Sequence, residues 1–418
     1  MNDNRVVITG LGAVTPVGIG VSEFFDGLKA GRNGISRVSS FDVTDFRSKL
    51  AAEVKNFDAE TWIDRKSARR MDRFTQFGIA ATAMAIEDAG LESLQFDKNR
   101  SGVSIGSGIG GSRAIEEGYA TLQNSGPDRI SPFIVSRMLI NMAACMVSIR
   151  YGLKGPLSAP SVACSTGSNA IGDAFRILQR GDAKIMIAGS SEACVTPLPW
   201  GTFCATRSMT ANDCVDTASR PFDRNRDGFV MGEGAGIAVL EELEHALGRG
   251  ARIYAEIAGY GNTADAYHIT APEPQSDGMI RVMQVALRDA KMDVDRIGYI
   301  NAHGTSTVLN DKCESAAIEK VFGEHVKTLK VSSIKSMIGH LLAGAGSVEF
   351  VSTVMSVFTG MIPPTINHRD PDPDCTLDYV TNGAEILDIN AAMSNSFGFG
   401  GGNACLLIKK YEDIDENS

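Results

Sequence analysis

The sequence of 418 residues predicts an α/β fold, because short strands and longer helical patterns alternate along its whole length. The strand-like runs are rich in Val and Ile, as in RVVITG, KIMIAGSS, IAVLEE, RIYAEIAG, IGYINAHG, KVSSIKS and ACLLIKK. Such nearly continuous apolar runs are typical of strands that are buried on both faces of a sheet. The 44 glycines cluster at the ends of these runs, where functional sites lie in folds of this class.

The two halves of the chain resemble each other. RVVITGLGAV near the start is similar to RIYAEIAGYG in the middle, since each is a strand that ends in a Gly-containing turn. Segments 158–175 and 295–315 both run from a strand through Ala and a reactive side chain, Cys164 or His303, into a helix. Duplicated halves packed face to face would bring these two side chains to one shared site.

We therefore predict two structural units, residues 1–250 and residues 251–412. The first carries Cys164, and the second carries His303, Lys335, His340 and the Phe399 loop. We expect the acidic tail from Glu412 to Ser418 to be frayed.

Charge and hydropathy exclude several classes of function. The chain has 40 Lys and Arg against 50 Asp and Glu, and a net charge of -10 argues against a nucleic-acid or membrane-surface binder. Gly10, Gly12 and Pro16 interrupt the apolar N-terminal stretch, which does not have the pattern of a signal peptide. We expect that no window reaches the roughly 18 apolar residues of a membrane span, and hence a soluble, cytoplasmic protein.

The eight cysteines show no CxxC pair, which favours free thiols in a reducing compartment. Cys164 differs from the others, because it stands in VACSTGSNAIGDAF between a short apolar strand and a small-residue helix. A helix N-terminus is expected to lower the pKa of the thiol and to favour the nucleophilic thiolate. The alternative is a packed core cysteine, but the flanking Gly, Ser and Thr leave room for a substrate.

Two histidines stand in comparable Gly-rich turns. His303 lies in NAHGTST, beside Thr305 and Thr307, and His340 lies in VSSIKSMIGHLLAGAGSVEF, five residues after Lys335. A single histidine at a strand end is more often structural, but two in such turns favour a shared reactive site. The other histidines lie in polar surroundings, and among them only His268, in DAYHITAPEP, is expected to line an entrance and contact substrate.

Three further segments have less specific patterns. SNSFGFGGGNACLLIKK places Phe397 and Phe399 in a glycine-rich loop that can supply an N–H donor and can move, or that is simply a tight turn with core aromatics. The segment 220–242, RPFDRNRDGFVMGEGAGIAVLEE, indicates no chemistry by itself. Basic residues recur at helical spacing in DRKSARRMDRF, which predicts either a solvated helix or a docking face for an acidic partner.

Two kinds of ligand site are rejected. ITGLGAVTPVG lacks the third glycine of a dinucleotide fingerprint, because Thr15 stands at that position. Neither HExxH, a Walker loop nor a clustered metal-ligand spacing occurs, so no catalytic metal is expected.

Taken together, these motifs resemble the elongating β-ketoacyl-acyl-carrier-protein synthases of the thiolase-like superfamily, nearest to the synthase II type. VVITGLGAVTPVG, VACSTGSNAIGDA, RPFDRNRDGFVMGEGAG, NAHGTST, KSMIGHLLAGAGSVE and NSFGFGG occur in family order and cover essentially the whole chain. The resemblance implies a five-layered α-β-α-β-α fold built from two duplicated halves, and a homodimer. It also implies acyl and malonyl forms of acyl carrier protein as partners, whose phosphopantetheine arrives with the substrate, and no other cofactor except a possible structural monovalent cation.

The same resemblance implies roles for individual residues. Cys164 would be the acyl-accepting nucleophile, His303 and His340 its partners, and Lys335 and Phe399 a supporting lysine and a gating aromatic that supplies an oxyanion-hole N–H. The remaining expected contacts are with substrate (Thr305, Thr307, Thr270, His268, Phe397), with the catalytic groups (Glu314, Asp311) and with the carrier (Lys66, Arg69, Arg70, Arg129, Arg207). The chain departs from the family, which commonly has Pro, Gly, Thr and Thr, at Val308, Asn310, Ile338 and Gly402.

The resemblance implies a decarboxylative Claisen condensation that elongates a fatty acyl chain by two carbons. Three alternatives stay open. A polyketide ketosynthase keeps all three reactive residues, a noncatalytic chain-length subunit lacks the nucleophile, and a degradative thiolase usually has a second catalytic cysteine.

Overall fold

The computed structural model describes residues 4–92 and 96–412, so the expected fraying of the acidic tail concerns residues that lie outside the described part, apart from Glu412. The helices are α1 (Val21–Lys29), α2 (Arg65–Ala68), α3 (Arg73–Asp88), α4 (Ser112–Ser125), α5 (Ile134–Met138), α6 (Met142–Tyr151), α7 (Thr166–Gln179), α8 (Pro197–Ala205), α9 (Leu243–Gly248), α10 (Asp277–Ala290), α11 (Val308–Phe322), α12 (Lys335–Ile338) and α13 (Ala345–Thr359). The strands are β1 (Val6–Thr15), β2 (Gly18–Ile19), β3 (Ser36–Arg37), β4 (Leu50–Ala52), β5 (Ser101–Gly106), β6 (Leu157–Ser158), β7 (Ile185–Glu192), β8 (Met231–Gly232), β9 (Gly234–Glu242), β10 (Ala255–Ala264), β11 (Ile297–Asn301), β12 (Lys330–Ser332), β13 (Met361–Ile362), β14 (Glu385–Ile386), β15 (Ala391–Phe397) and β16 (Gly402–Lys409).

The main sheet consists of two halves with the same strand order. The first half runs β1-β9-β7-β5-β6 and the second runs β10-β16-β15-β11-β12. In each half the two pairs nearest the free edge are parallel, and the two pairs nearest the centre are antiparallel. The halves join through a short antiparallel pairing of β1 with β10.

Helices cover both faces of each half-sheet. Helices α3 and α6 pack on the outer face of the first half, α10 packs on the outer face of the second with α11 against it, and α7 and α13 lie between the two. Strand β7 shows why, since Met186 and Ala188 join the central core whereas Ile185 and Ile187 join the outer core. This alternation buries both faces of the strand. The predicted five layers are confirmed.

The similarity between RVVITGLGAV and RIYAEIAGYG reflects matching structure. Both β1 and β10 have an irregular register just before a glycine, Gly10 or Gly259. A Cβ atom would lie 2.2 Å from the Ala85 carbonyl oxygen at Gly10 and 2.4 Å from the Ala286 carbonyl oxygen at Gly259, so each glycine lets a helix lie directly on its strand. The two halves are therefore duplicated in their packing as well as in strand order, and the division near residue 250 stays a prediction.

The second expected similarity, between segments 158–175 and 295–315, paired the wrong elements. By strand order β6 corresponds to β12 and β5 corresponds to β11. Helix α7 follows β6 and the turn that contains Cys164, and its counterpart α13 follows β12 and the turn after His340. His303 follows β11 and therefore corresponds to a residue of the loop after β5. Local sequence similarity could not show which helix occupies the central layer.

One stretch, Leu342–Thr359, is long and apolar enough to cross a membrane by length and composition, contrary to the expectation that no window would reach that length. The stretch is 83% buried inside the protein. It contains α13 of the central layer, and such burial is typical of a core helix.

Candidate active site

Cys164 lies in a short helical turn, Ala163–Ser165, that leads directly into α7. Ala163 has a φ of 46°, a conformation that is uncommon for a residue with a side chain. The Cys164 side chain belongs to an apolar cluster with Phe229 and Leu342, and it lines a cavity of about 310 Å³. The turn thus presents a thiol to an internal cavity, and all eight cysteines are free, as predicted.

The expected lowering of the Cys164 pKa is wrong. Burial disfavours the thiolate and raises the pKa of Cys164 to about 11, although the Phe399 N–H and the charge of Lys335 act in the opposite direction. Desolvation is a property of the packed tertiary structure, so the position at a helix N-terminus could not predict the net direction. The Cys164 side chain is therefore a thiol rather than a thiolate near pH 7.

His303 lines the same cavity and is held by Lys335. The Lys335 Nζ lies 2.7 Å from the carbonyl oxygen of His303 and 3.3 Å from its Nδ1, and it also forms a buried ion pair with Glu349. Because an ammonium group only donates, Nδ1 is an acceptor and the ring proton is on Nε2. Burial, and then Lys335 and His340, lower the pKa of His303 well below its usual value, so the ring is neutral near pH 7.

His340 is placed by the strand β8. Its N–H donates to the Val230 carbonyl oxygen at 2.7 Å, and its carbonyl oxygen accepts from Gly232 at 2.9 Å. The His340 ring lies 5.3 Å from the rings of both His303 and Phe229, edge to face in each case. Burial and Lys335 lower its pKa, so this ring is also neutral. Two neutral imidazoles therefore meet at one cavity that also contains the thiol.

The glycine-rich loop reaches the thiol through its backbone. The Phe399 N–H donates toward the Cys164 sulfur, while the Phe399 side chain is 36% exposed at the cavity mouth. A Cβ at Gly398 would lie 3.3 Å from the Cys164 nitrogen, so glycine permits this close approach. Phe397 is buried, with its ring 5.7 Å from that of His303.

Two buried carboxylates, Glu314 and Asp311, lie near the loop that follows β11 and contains His303. Glu314 accepts from the N–H groups of His303 and Gly304, both at 2.8 Å, and burial raises its pKa to about 7. Asp311 accepts from the Phe222 N–H at 2.9 Å and lies 3.6 Å from the Arg226 guanidinium. Neither residue lines the cavity, and their supporting role stays a prediction.

Most of the expected contacts with substrate line the cavity. Thr305 and Thr307 form a pair with hydroxyl oxygens 2.8 Å apart, and Thr270 and Phe397 line the same cavity. His268 does not reach the cavity, because its Nδ1 accepts from the N–H groups of Thr270 and Ala271 and turns the loop instead.

Of the residues expected to dock the carrier, only one lines the cavity. Arg207 is exposed at the cavity mouth, whereas Lys66, Arg69, Arg70 and Arg129 are exposed on the surface away from it. The predicted continuous basic helix is wrong, because the chain breaks between α2 and α3. Arg73 turns inward to Glu233 at 2.9 Å, since a buried carboxylate there requires a partner.

Sequence reasoning missed three supports of the site. Arg226, which is nearly buried, donates to the carbonyl oxygens of Thr307 and Val308, both at 3.1 Å, and Phe229 packs on His340. The segment 220–242 is thus a scaffold between the two halves of the site. Glu349 pairs with Lys335 from inside an apolar helix, and a charge in such a pattern was the signal that could have revealed it.

Comparison with known proteins shows the family to which the chain belongs. Residues 3–246 match the model of the β-ketoacyl synthase N-terminal domain, and residues 254–369 match that of the C-terminal domain. The chain belongs to the β-ketoacyl synthase family. The expected enzyme class and thiolase-like fold are confirmed.

Individual relatives are similar over their full length. The chain is 49% identical over 413 residues to the 3-oxoacyl-[acyl-carrier-protein] synthase 2 of Synechocystis sp., covering 99% of both chains. It is 50% identical over 410 residues to the protein of that name from Staphylococcus aureus, covering 98% of this chain and 99% of the relative. A ketosynthase solved bound to the hexaketide, in complex with its type II PKS acyl-carrier protein, has a TM-score of 0.91 and 36% identity, covering 98% of this chain and all of that one.

Proposed function

We propose that this enzyme condenses an acyl group held on Cys164 with malonyl-acyl-carrier protein and so lengthens a fatty acyl chain by two carbons. The single observation that supports this best is the meeting of one thiol and two neutral imidazoles at one cavity, next to backbone N–H donors. The two relatives near 50% identity carry the name of an elongating synthase.

In the first half-reaction, the Cys164 sulfur attacks the acyl thioester of the carrier protein. A neutral imidazole in the cavity takes the thiol proton, because the pKa of Cys164 is too high for a free thiolate. The N–H groups of Cys164 and Phe399 stabilise the tetrahedral oxyanion, and such a donor contributes about 3 to 4 kcal/mol. The imidazolium then returns this proton to the departing sulfur, so the carrier leaves as a free thiol and the imidazole is neutral again. The acyl chain extends into the apolar cluster around Cys164.

In the second half-reaction, malonyl-carrier protein loses carbon dioxide. The resulting enolate oxygen accepts hydrogen bonds from the neutral imidazoles, and the Nε2–H of His303 is a suitable donor because Nδ1 faces Lys335. The enolate carbon then attacks the acyl carbonyl, and the bond to the Cys164 sulfur breaks. The released Cys164 thiolate takes up one proton from solvent and becomes the thiol again. Loss of carbon dioxide makes the step effectively irreversible.

Acyl carrier protein is the proposed partner. Exposed Lys66, Arg69, Arg70 and Arg129 could attract an acidic carrier, and Arg207 lies where its prosthetic arm would enter. Arg70 already stacks on Phe133, with its guanidinium carbon 4.5 Å from the ring centre, so it contributes less freely than the others. His268, outside the cavity, can contact only the carrier or the outer part of the arm.

A polyketide ketosynthase is the second candidate. Its specific support is the ketosynthase complex at 36% identity, in which the bound chain is a hexaketide. The higher identity of the synthase 2 relatives favours fatty acyl elongation.

We further propose a homodimer. Strand β6 forms a free edge of the main sheet, and apolar side chains of the adjoining helices α4 to α6 are exposed. The most exposed on these helices are Tyr119, Val135 and Ile149, and Leu157 of β6 itself is also exposed. A sheet edge with such a surface is suited to pairing with a second copy. A cytoplasmic location also stays a prediction, for which eight free thiols are the support.

A structural monovalent cation fits one buried cluster. Asn301 Oδ1, Glu349 Oε2 and Ser394 Oγ are buried without a hydrogen-bond partner in the described residues, and Asn301 pairs with Ser394 across β11 and β15. These oxygens would hold the ion beside the Lys335–Glu349 pair, where it would add positive charge. No group of three or more His, Cys, Asp or Glu suited to a metal occurs in residues 4–92 and 96–412.

The test is product analysis with the purified protein. We expect it to convert acyl- and malonyl-carrier protein into a β-ketoacyl-carrier protein two carbons longer and carbon dioxide. Cys164→Ala should abolish the acyl adduct in intact-mass spectra, whereas Cys214→Ala, which alters an exposed thiol, should keep it. An adduct that survives in the Cys164 variant would overturn the assignment, and extension only of polyketide primers would favour the second candidate.

A further inference from the structure

Glu192 is a buried carboxylate that the proposed mechanism does not use. It ends β7 and is fully buried. Its oxygens accept from the Ser107 hydroxyl at 3.1 Å, the Gly108 N–H at 2.8 Å and the Ile109 N–H at 3.3 Å. No cation forms an ion pair with it among the residues that the structure describes. Burial raises its pKa to about 7, which shows how much solvation the group has lost.

In the other half, Glu314 binds the corresponding pair of backbone N–H groups. Strands β5 and β11 correspond, and Gly108 and His303 each stand two residues past the strand end. Glu192 binds the N–H groups of Gly108 and the next residue, and Glu314 binds those of His303 and the next residue. The two carboxylates come from different elements, β7 and α11, so strand order alone does not account for the match.

The Glu192 contact fixes a loop beside the nucleophile. Ile109 packs against the apolar cluster that contains Cys164, Phe229 and Leu342. A Cβ at Gly108 would lie 2.9 Å from the Glu192 Oε2 and 3.2 Å from the Ala343 Cβ, so the loop is tightly enclosed. Movement of this loop would displace Ile109 from the surface on which we place the acyl chain.

We propose that Glu192 is a positioning residue for the loading of Cys164, and that Glu314 is its counterpart for malonyl decarboxylation. Each carboxylate fixes the loop that serves the chemistry of its own half. Glu192 acts through Ile109 on the acyl chain, and Glu314 acts through the backbone of His303 on the imidazole. This inference rests on the proposed function.

The test compares Glu192→Gln with Glu314→Gln in two separate assays of the full-length protein. One assay follows the acyl adduct by intact mass with a short and a long acyl-carrier protein, and the other follows carbon dioxide release from malonyl-carrier protein alone. Glutamine replaces one of the two accepting oxygens with an NH₂ group. The Ile109 N–H lies 3.4 Å and 3.3 Å from the two oxygens of Glu192, and each oxygen of Glu314 accepts from one N–H group, so either variant leaves an N–H facing an NH₂. For Glu192→Gln we expect kcat/KM of acylation to fall about 10-fold or more, most for the long chain, with carbon dioxide release within about 2-fold of the parent. For Glu314→Gln we expect the reverse.

Ile109→Ala is the second variant, because it alters the wall without touching the carboxylate. Ile109→Ala should also lower kcat/KM of acylation selectively for the long acyl chain. If Glu192→Gln does not fold, this variant alone carries the test, and the absence of a selective loss would count against the inference. Equal losses in both assays for each Gln variant, or unchanged acylation in Glu192→Gln, would overturn the inference alone. A parent protein that neither forms the adduct nor releases carbon dioxide would overturn the proposed function together with it.

Discussion

The two halves differ most in the segment between the edge strand and the helical turn that faces the cavity. In the first half, residues 159–162 join β6 to the turn Ala163–Ser165. In the second half, the longer segment 333–341 joins β12 to the turn Leu342–Gly344 and contains α12. The first residue of each turn has a positive φ, 46° and 50°, so the turns themselves match.

This difference shows how one duplicated frame holds two kinds of chemistry. Cys164 is the second residue of its turn, and Ala343 stands at the matching position of the other. Lys335 and His340 both lie in the longer segment, which has no counterpart of that length in the first half. The first half therefore presents Cys164 from the shared turn. In the second half, added chain supplies His340 and also Lys335, which holds His303 of the neighbouring loop.

The largest expected effect comes from Lys335→Met, which removes the charge that only the longer segment provides. We expect condensing turnover to fall on the order of 10³-fold, because His303 loses the donor at its Nδ1. Unpaired, buried Glu349 should cost about 3 to 5 kcal/mol of stability. Lys335 lowers the pKa of His303, so loss of Lys335 should raise this pKa. His303 would then become protonated at a higher pH, and the acidic limit of activity should move to higher pH. Rates across pH and melting temperatures check both effects.

The control for this prediction is the double variant Lys335→Met with Glu349→Gln. It removes both buried charges, so it should regain most of the stability but little of the activity. Recovery of the rate in this variant would mean that Lys335 serves only to neutralise Glu349.

A smaller effect is expected from Gly398→Ala, which tests how closely the second-half loop approaches the first-half turn. The added Cβ would lie 2.9 Å from the Val162 carbonyl oxygen and 3.3 Å from the Cys164 nitrogen. The loop must retreat and withdraw the Phe399 N–H, so formation of the acyl adduct should slow on the order of 10²-fold. Intact-mass time courses measure this rate.

Phe399→Ala is the matched control, because it keeps the backbone N–H and removes the ring. We expect its adduct to form less than about 10-fold more slowly than in the parent. A larger loss for the ring than for the Gly398 change would assign the loop's effect to the side chain.

Local patterns in the sequence predicted the α/β class and the side chains of the central site, whereas the five layers followed from the family resemblance. Apolar runs indicated doubly buried strands, and glycine-rich turns marked Cys164, His303 and His340 before any contact was known. The net pKa of Cys164 and the inward turn of Arg73 depend on which distant residues surround them. Such neighbours are set by tertiary packing and leave no local signal.

The buried carboxylates Glu192 and Glu349 also show that the sequence alone does not identify distant partners. Glu192 ends an ordinary apolar strand, so a single sequence does not distinguish it from a solvated strand end. Glu349 gave a weak signal, because a charge inside the apolar helix SVEFVSTVMSV needs a buried partner. That partner, Lys335, was expected near the histidines on resemblance, but the pairing required the central position of α13.

The smallest expected effect comes from Gly402, where the family commonly has Thr. It tests whether Gly402 is required by the side chain of Val162 in the first half. A Cβ at this position would lie 2.6 Å from the Cγ1 of Val162, which stands two residues before Cys164. Gly402→Thr should therefore shift Val162, lower stability by about 1 to 3 kcal/mol and slow adduct formation about 3-fold. Val162→Ala in the same chain should restore both, since it frees the space. If the double variant is no better than Gly402→Thr alone, the two positions are not matched across the interface between the halves.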